Sequence, residues 1–120
     1  MPLAKIEVRK SRPAAEQEGL MRAVYEAQRA ALNLREGDTQ VRYVEHAPGN
    51  WLIPAAKTDN FTVVEVTLYP GRTLDMKRRF YDEIARRFVE FGIGADDLYI
   101  VLHEVGPENW GLRGKPGSEQ

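Results

Sequence analysis

The residue best placed for acid–base chemistry stands at the start of the chain. Pro2 follows Met1, and a methionine before so small a side chain is normally cleaved. Cleavage would leave a secondary amine on the first strand. An α-amino group titrates near ~8, and proline's amine is intrinsically more basic. Burial against apolar side chains and a nearby guanidinium both favour the neutral form. Such an amine is a general base poised near neutral pH. With Met1 retained, the same nitrogen is an amide and no base.

Arg72 follows Gly71 at the mouth of a helix. A guanidinium beside free helix N–H groups suits a carboxylate, which the fork binds bidentately while the helix end favours the anion. A merely solvated arginine fits the same residues. Asp38, in Gly37-Asp38-Thr39, reads first as an Asx-turn or cap. In the tail, Asn109-Trp110-Gly111-Leu112-Arg113-Gly114 sets an aromatic three residues before an arginine. Trp110 and Arg113 can wall a pocket and offer a second anion contact, or pack against a neighbouring subunit; the two readings are compatible.

Other chemistries find little support. His46 and His103 fall on corresponding strands two residues out of register, and neither has a second ligand at metal-binding spacing. No metal site and no cofactor are expected. Glycine-rich phosphate loops and the nucleophile-elbow pattern are absent. The chain has no cysteine, which excludes a disulfide scaffold, thiolate zinc site and cysteine nucleophile. Its 17 basic and 18 acidic residues are interspersed, so a nucleic-acid partner is not expected. No apolar run approaches a membrane span, and the charged, alternating start is unlike a secretory signal. A cytoplasmic domain without redox chemistry is the expectation.

With 120 residues, the folded chain should expose about 6,600 Å² of about 19,900 Å² when extended, enough burial for one core. Residues 1–120 are therefore read as one domain. Pro2 to Arg9 alternates as a strand with Ala4, Ile6 and Val8 on one face. Pro13 opens a helix with Leu20, Val24, Ala27 and Ala31 in register. Thr39 to His46 is a second strand. The second half repeats the plan: a strand from Phe61 to Tyr69, a helix capped by Thr73 with Phe80, Ile84 and Phe88 inward, and a strand from Leu98 to Val105.

Ile6-Glu7-Val8 matches Val64-Glu65-Val66 at an offset of 58, Arg12 matches Arg72 at 60, and Glu45 matches Glu104 at 59. The units are residues 2–46 and 61–105, followed by a tail, 106–120. Self-similarity at a fixed period marks duplicated architecture. The expected fold class is α+β: two β-α-β units forming a four-stranded mixed sheet with two helices on one face. Phe61, Val63, Tyr69, Tyr99, Val101 and Val105 then fall on the other face. So much apolar surface implies burial in an oligomer, unless Trp51 and the tail cover it within one chain.

Met1-Pro2, the doubled β-α-β plan and Pro70-Gly71-Arg72-Thr73 together resemble the tautomerase superfamily. So do Lys77, Tyr81, Ile93-Gly94, Asp97, Glu104, Trp110-Gly111 and Arg113-Gly114. The similarity is to its longer members, the malonate semialdehyde decarboxylase-like and cis-3-chloroacrylic acid dehalogenase-like proteins. It implies a cofactor-independent homotrimer whose sheets form an inner barrel, acting on small 2-oxo acids, enols or unsaturated carboxylates. Pro2 would match the catalytic proline, Arg72 the carboxylate-binding arginine, Asp38 the catalytic aspartate of the decarboxylase-like members, and Trp110 their hydrophobic wall. Pro70 and Tyr69 stand where those subgroups carry further arginines, and Thr39-Gln40 replaces the arginine and aromatic after the aspartate. The leading expectation is a tautomerase of a small carboxylate using Pro2, Arg72 and Asp38, with Trp110 and Arg113 binding substrate. A decarboxylase or hydratase with a protonated proline is the alternative; a trimeric binding protein without catalysis is the third.

Overall fold

The structure is a computed structural model that describes residues 2–120. In chain order it contains β1 (Leu3–Val8), α1 (Ala14–Ala31), β2 (Val41–Glu45), β3 (Thr62–Leu68), α2 (Leu74–Phe88) and β4 (Leu98–Glu104). A small tail hairpin follows, β5 (Gly111–Leu112) and β6 (Lys115–Pro116). The main sheet has four strands in the order β2-β1-β3-β4. β1 and β2 run parallel, as do β3 and β4, and β1 meets β3 antiparallel. This is the mixed sheet of two β-α-β units expected above.

Local chemistry sets these elements. In β1 every second residue is buried, so Ala4, Ile6 and Val8 face the helices. Pro13 stands at the start of α1, where a missing N–H leaves nothing unpaired. Thr73 caps α2, its hydroxyl accepting from the Met76 N–H at 3.2 Å. Gly92, at φ 77°, ends the turn after α2 and lets the Ile93 N–H return to the Phe88 carbonyl at 3.2 Å. Both helices pack on one sheet face over Ile6, Leu20, Val24, Val64, Phe80 and Ile84.

Matched hydrogen bonds relate the two halves. The His46 N–H donates to the Val8 carbonyl and the Val105 N–H to the Leu68 carbonyl, both at 2.8 Å. Gln17 Nε2 donates to Glu45 at 2.9 Å, as Lys77 Nζ does to Glu104 at 3.1 Å. These pairs set Glu45 against Glu104 and Gln17 against Lys77, an offset that also aligns Arg12 with Arg72. They correct the strand match: Val8 corresponds to Leu68, not Val66. A slip of two residues leaves every side chain on its own face, so the alternating pattern could not distinguish the registers. The same relation reveals Pro48–Asn50 and Pro107–Asn109 as corresponding 3₁₀ turns, each followed by a tryptophan.

The open sheet face also needs correction. Trp51 packs on Phe61 with ring centroids 5.4 Å apart and on His46 at 5.3 Å. Trp110 stands edge-on to Tyr69 at 5.5 Å. Each end of the face thus gains aromatic cover from within the chain. Between them Lys5 lies 3.6 Å from Glu7 and 3.8 Å from Glu65, while His46 and His103 each reach a glutamate at 2.8 Å. The face is a charged centre between aromatic ends, because Lys5 and Glu7 of β1 and Glu65 of β3 point this way. Tyr99 and Val101 remain 46% and 40% exposed. Among the described residues, no helix is long and apolar enough to cross a membrane.

Candidate active site

Each helix runs back along its parallel strand pair. The start of β1, the C-terminal end of α1, the start of β2, the end of β3 and the first turn of α2 therefore share one end of the sheet. Pro2 is buried there, immediately before β1. Leu3 pairs with Thr67 and Ala4 with Val41. Continuing those registers sets Pro2 opposite Leu68 and level with Thr39.

Arg72 reaches the same end from the turn between β3 and α2. Gly71 takes φ 122°, a backbone conformation that side chains disfavour, and so directs the next residue back over the strand ends. The half-buried guanidinium donates from Nε to the Leu32 carbonyl and from Nη1 to the Tyr69 carbonyl, both at 3.2 Å. Among the described residues Nη2 makes no hydrogen bond, the guanidinium's two bonds coming from Nε and Nη1. A cleft of about 320 Å³ opens beside it, lined by Leu32, Asn33, Pro70, Gly71, Arg72 and Met76.

Asp38 occupies the turn before β2, its N–H donating to the Arg35 carbonyl at 3.2 Å, and directly precedes Thr39. The turn chemistry read for it is present. Trp110 is 8% exposed, and its indole N–H donates to the Val105 carbonyl at 3.0 Å. Its contact with Tyr69, whose carbonyl binds Arg72, links the tail to the arginine. Arg113 is exposed at the tip of the β5–β6 hairpin, with φ 51°, and donates to Gln120. Pro2, Arg72, Asp38 and Trp110 thus belong to elements meeting at one end of the sheet, whereas Arg113 is engaged within the tail.

Sequence reading passed over Gln28. This side chain is fully buried; Thr39 Oγ1 lies 2.5 Å from its Oε1, and its Nε2 has no partner among the described residues. The signal was a polar residue four positions after Val24, inside the apolar stripe of α1.

Three titratable groups elsewhere are displaced from their ordinary values. Chiefly burial, reinforced by the nearby Glu45 carboxylate, pushes Tyr43 up to about 12. The hydrogen bond from His103 holds Glu65 below the usual carboxylate range. The Thr58 hydroxyl and N–H, at 2.5 and 2.9 Å, lower Asp97. Among the described residues, no three His, Asp or Glu side chains converge to hold a metal ion.

The family model described as "Tautomerase enzyme" matches residues 52–113, just over half the chain and including Arg72 and Trp110. The chain belongs to this tautomerase family. Solved structures share the family fold over nearly the whole length. Pt0534 inactivated by 2-oxo-3-pentynoate is 16% identical, with 98% of each chain covered and a TM-score of 0.89. A fused 4-OT solved as a symmetric trimer is 18% identical, covering 97% of this chain and 96% of that one, with a TM-score of 0.85. FG41 malonate semialdehyde decarboxylase inhibited by 3-bromopropiolate is 21% identical, covering 90% of this chain and 86% of that one, with a TM-score of 0.81. The tautomerase fold thus accounts for both halves of the chain, including the one outside the family match.

Proposed function

We propose that this tautomerase-family chain is a keto–enol tautomerase of a small 2-oxo or unsaturated carboxylic acid, working in the cytoplasm without a cofactor. The observation that supports the reading is that the start of β1, just after Pro2, and the β3–α2 turn that carries Arg72 share one end of the sheet. Once Met1 is removed, the Pro2 nitrogen takes a proton from the carbon next to the substrate carbonyl. The electron pair left behind delocalises onto the carbonyl oxygen as an enolate, and the proton returns at a different carbon. Arg72 holds the substrate carboxylate, its guanidinium pre-oriented by the Leu32 and Tyr69 carbonyls. Fixed donors of this kind stabilise charge without reorganising during the reaction. Trp110 restricts water, Asp38 orients the substrate oxygen, and Arg113 supplies a second anion contact when the tail of a neighbouring subunit closes on the site. The assembly is a homotrimer burying Tyr99 and Val101 against adjacent copies.

A second reading, decarboxylation or hydration of a 3-oxo acid by a protonated proline, draws on Asp38. Its residue directly precedes the one level with Pro2, and a nearby carboxylate favours the charged amine. Intact mass tests the requirement for a free amine: retained Met1 removes both mechanisms and leaves a binding role. Pro2→Ala should abolish turnover of phenylenolpyruvate or 2-hydroxymuconate; unchanged turnover rejects proline catalysis. Given turnover, the apparent Pro2 pKa by ¹⁵N NMR separates the two mechanisms. A value well above neutrality favours the protonated-proline reaction.

A further inference from the structure

We propose that Gln28 is a substrate-binding residue of the Pro2 site, donating from Nε2 to an oxygen of the 2-oxo acid that Arg72 holds. This rests on the Pro2 reading above and adds a residue to it.

A buried amide is normally paired on both of its faces. Gln28 is 0% exposed, yet only its Oε1 is engaged, by Thr39 Oγ1 at 2.5 Å; among the described residues nothing accepts from Nε2. As the side chain stands, the hydroxyl donates to Oε1 and Nε2 is the end left without a partner. Shielded from water, Nε2 lacks that partner as well. A ligand entering at Pro2, which lies level with Thr39, can bring the missing acceptor.

The internal repeat provides a comparison within the molecule. Sixty residues on, the position matching Gln28 is Phe88, fully buried in the core. The fold therefore fills this site with hydrocarbon at one end and a half-satisfied amide at the other. Arg12, the counterpart of Arg72, stands at the hydrocarbon end with a side chain only 3% exposed. It is bound to Glu16 at 3.0 Å, the Phe91 carbonyl at 2.9 Å and Asn60 at 3.3 Å. Arg12 also has an unpartnered nitrogen, its buried Nε, so what sets the end with the unpaired amide apart is that its arginine, Arg72, lines a cleft.

The test joins Gln28→Leu kinetics with a readout independent of turnover. Expected are an unchanged or raised Tm, because an orphan donor has gone, and a fall of about tenfold or more in kcat/KM. In wild-type protein, adding phenylpyruvate should move the Gln28 side-chain amide signal in ¹H–¹⁵N spectra. Thr39→Val should weaken turnover less than Gln28→Leu. Folded Gln28→Leu with wild-type kinetics, or an unmoved amide signal while phenylpyruvate binds, overturns the proposal and leaves Pro2 chemistry standing if Pro2→Ala still abolishes turnover. If Gln28→Leu does not fold, the wild-type amide signal decides. Wild-type protein that neither binds phenylpyruvate nor turns over phenylenolpyruvate removes both the Pro2 reading and this one.

Discussion

Arg12 and Arg72 occupy matching positions before the two helices, and each donates to a carbonyl beyond the end of the other half's helix. Arg72 Nε meets the Leu32 carbonyl at 3.2 Å, and Arg12 Nη1 meets the Phe91 carbonyl at 2.9 Å. Arg12 is further committed to Glu16 and Asn60, while Arg72 keeps Nη2 beside a cleft. One repeated contact thus belongs to a buried guanidinium at one end of the molecule and, in the proposed function, to a pre-oriented anion site at the other.

This asymmetry predicts opposite mutant phenotypes. Arg12→Ala removes hydrogen bonds to three part-buried acceptors and should cost about 1–3 kcal/mol of stability, with kcat/KM of the folded fraction unchanged. Arg72→Ala should cost less stability but lower kcat/KM about 10- to 100-fold, as expected for a charged hydrogen bond worth about 1.5–3 kcal/mol. Urea melts and steady-state kinetics on both variants check the pair.

Glu65 predicts an acid-sensitive contribution to stability. Its folded pKa lies below the ordinary 4.5, chiefly through the bond to His103. The contribution is complete above 4.5 and is lost as pH falls through the folded value, because the unfolded carboxylate binds its proton first. In His103→Ala, the fall in the urea midpoint between neutral pH and pH ~3 should be smaller than in wild type. Identical slopes would reject the coupling.

Tyr43 predicts the opposite limb. With its hydroxyl pushed from 10.0 up to about 12, it remains neutral in the folded chain while the unfolded chain ionises. Stability is therefore untouched by this group below 10.0 and declines as pH rises towards 12, because only the unfolded chain gains from ionising. The near-ultraviolet phenolate titration should therefore show a late component that Tyr43→Phe removes. Since the buried hydroxyl has no partner among the described residues, that variant should be at least as stable as wild type at neutral pH.

Gly117 predicts how the tail is fastened. A Cβ there would stand 2.5 Å from the Tyr69 hydroxyl and 2.7 Å from the Pro107 carbonyl. Gly117→Ala should force the tail off Tyr69, with a cost of about 1–3 kcal/mol typical of overpacking. In a Trp51→Phe background, emission from Trp110 should shift to the red. An unchanged spectrum would show that the tail adapts in place.

Pattern alone was sufficient for much of the architecture. Alternation placed Ala4, Ile6 and Val8 on one face, the helical stripes placed Leu20 and Phe80 in the core, and the doubled order implied the mixed sheet. These features are local, and period and polarity encode them directly. The tautomerase resemblance, carried by Met1-Pro2 and the residues around Arg72, likewise agrees with the family match. Register was not encoded in that way, because a two-residue slip preserves facing; hydrogen bonds beyond Val8 and Leu68 were needed to align the halves. The electrostatics of the open face depended on pairing Lys5 with Glu65 and joining Glu7 to His46 across strands. Gln28 became informative only when packing enclosed its amide beside Thr39 and left one end unpaired. Sequence order carries the propensity of each segment, but whether a polar atom finds a partner is settled by what the fold brings against it.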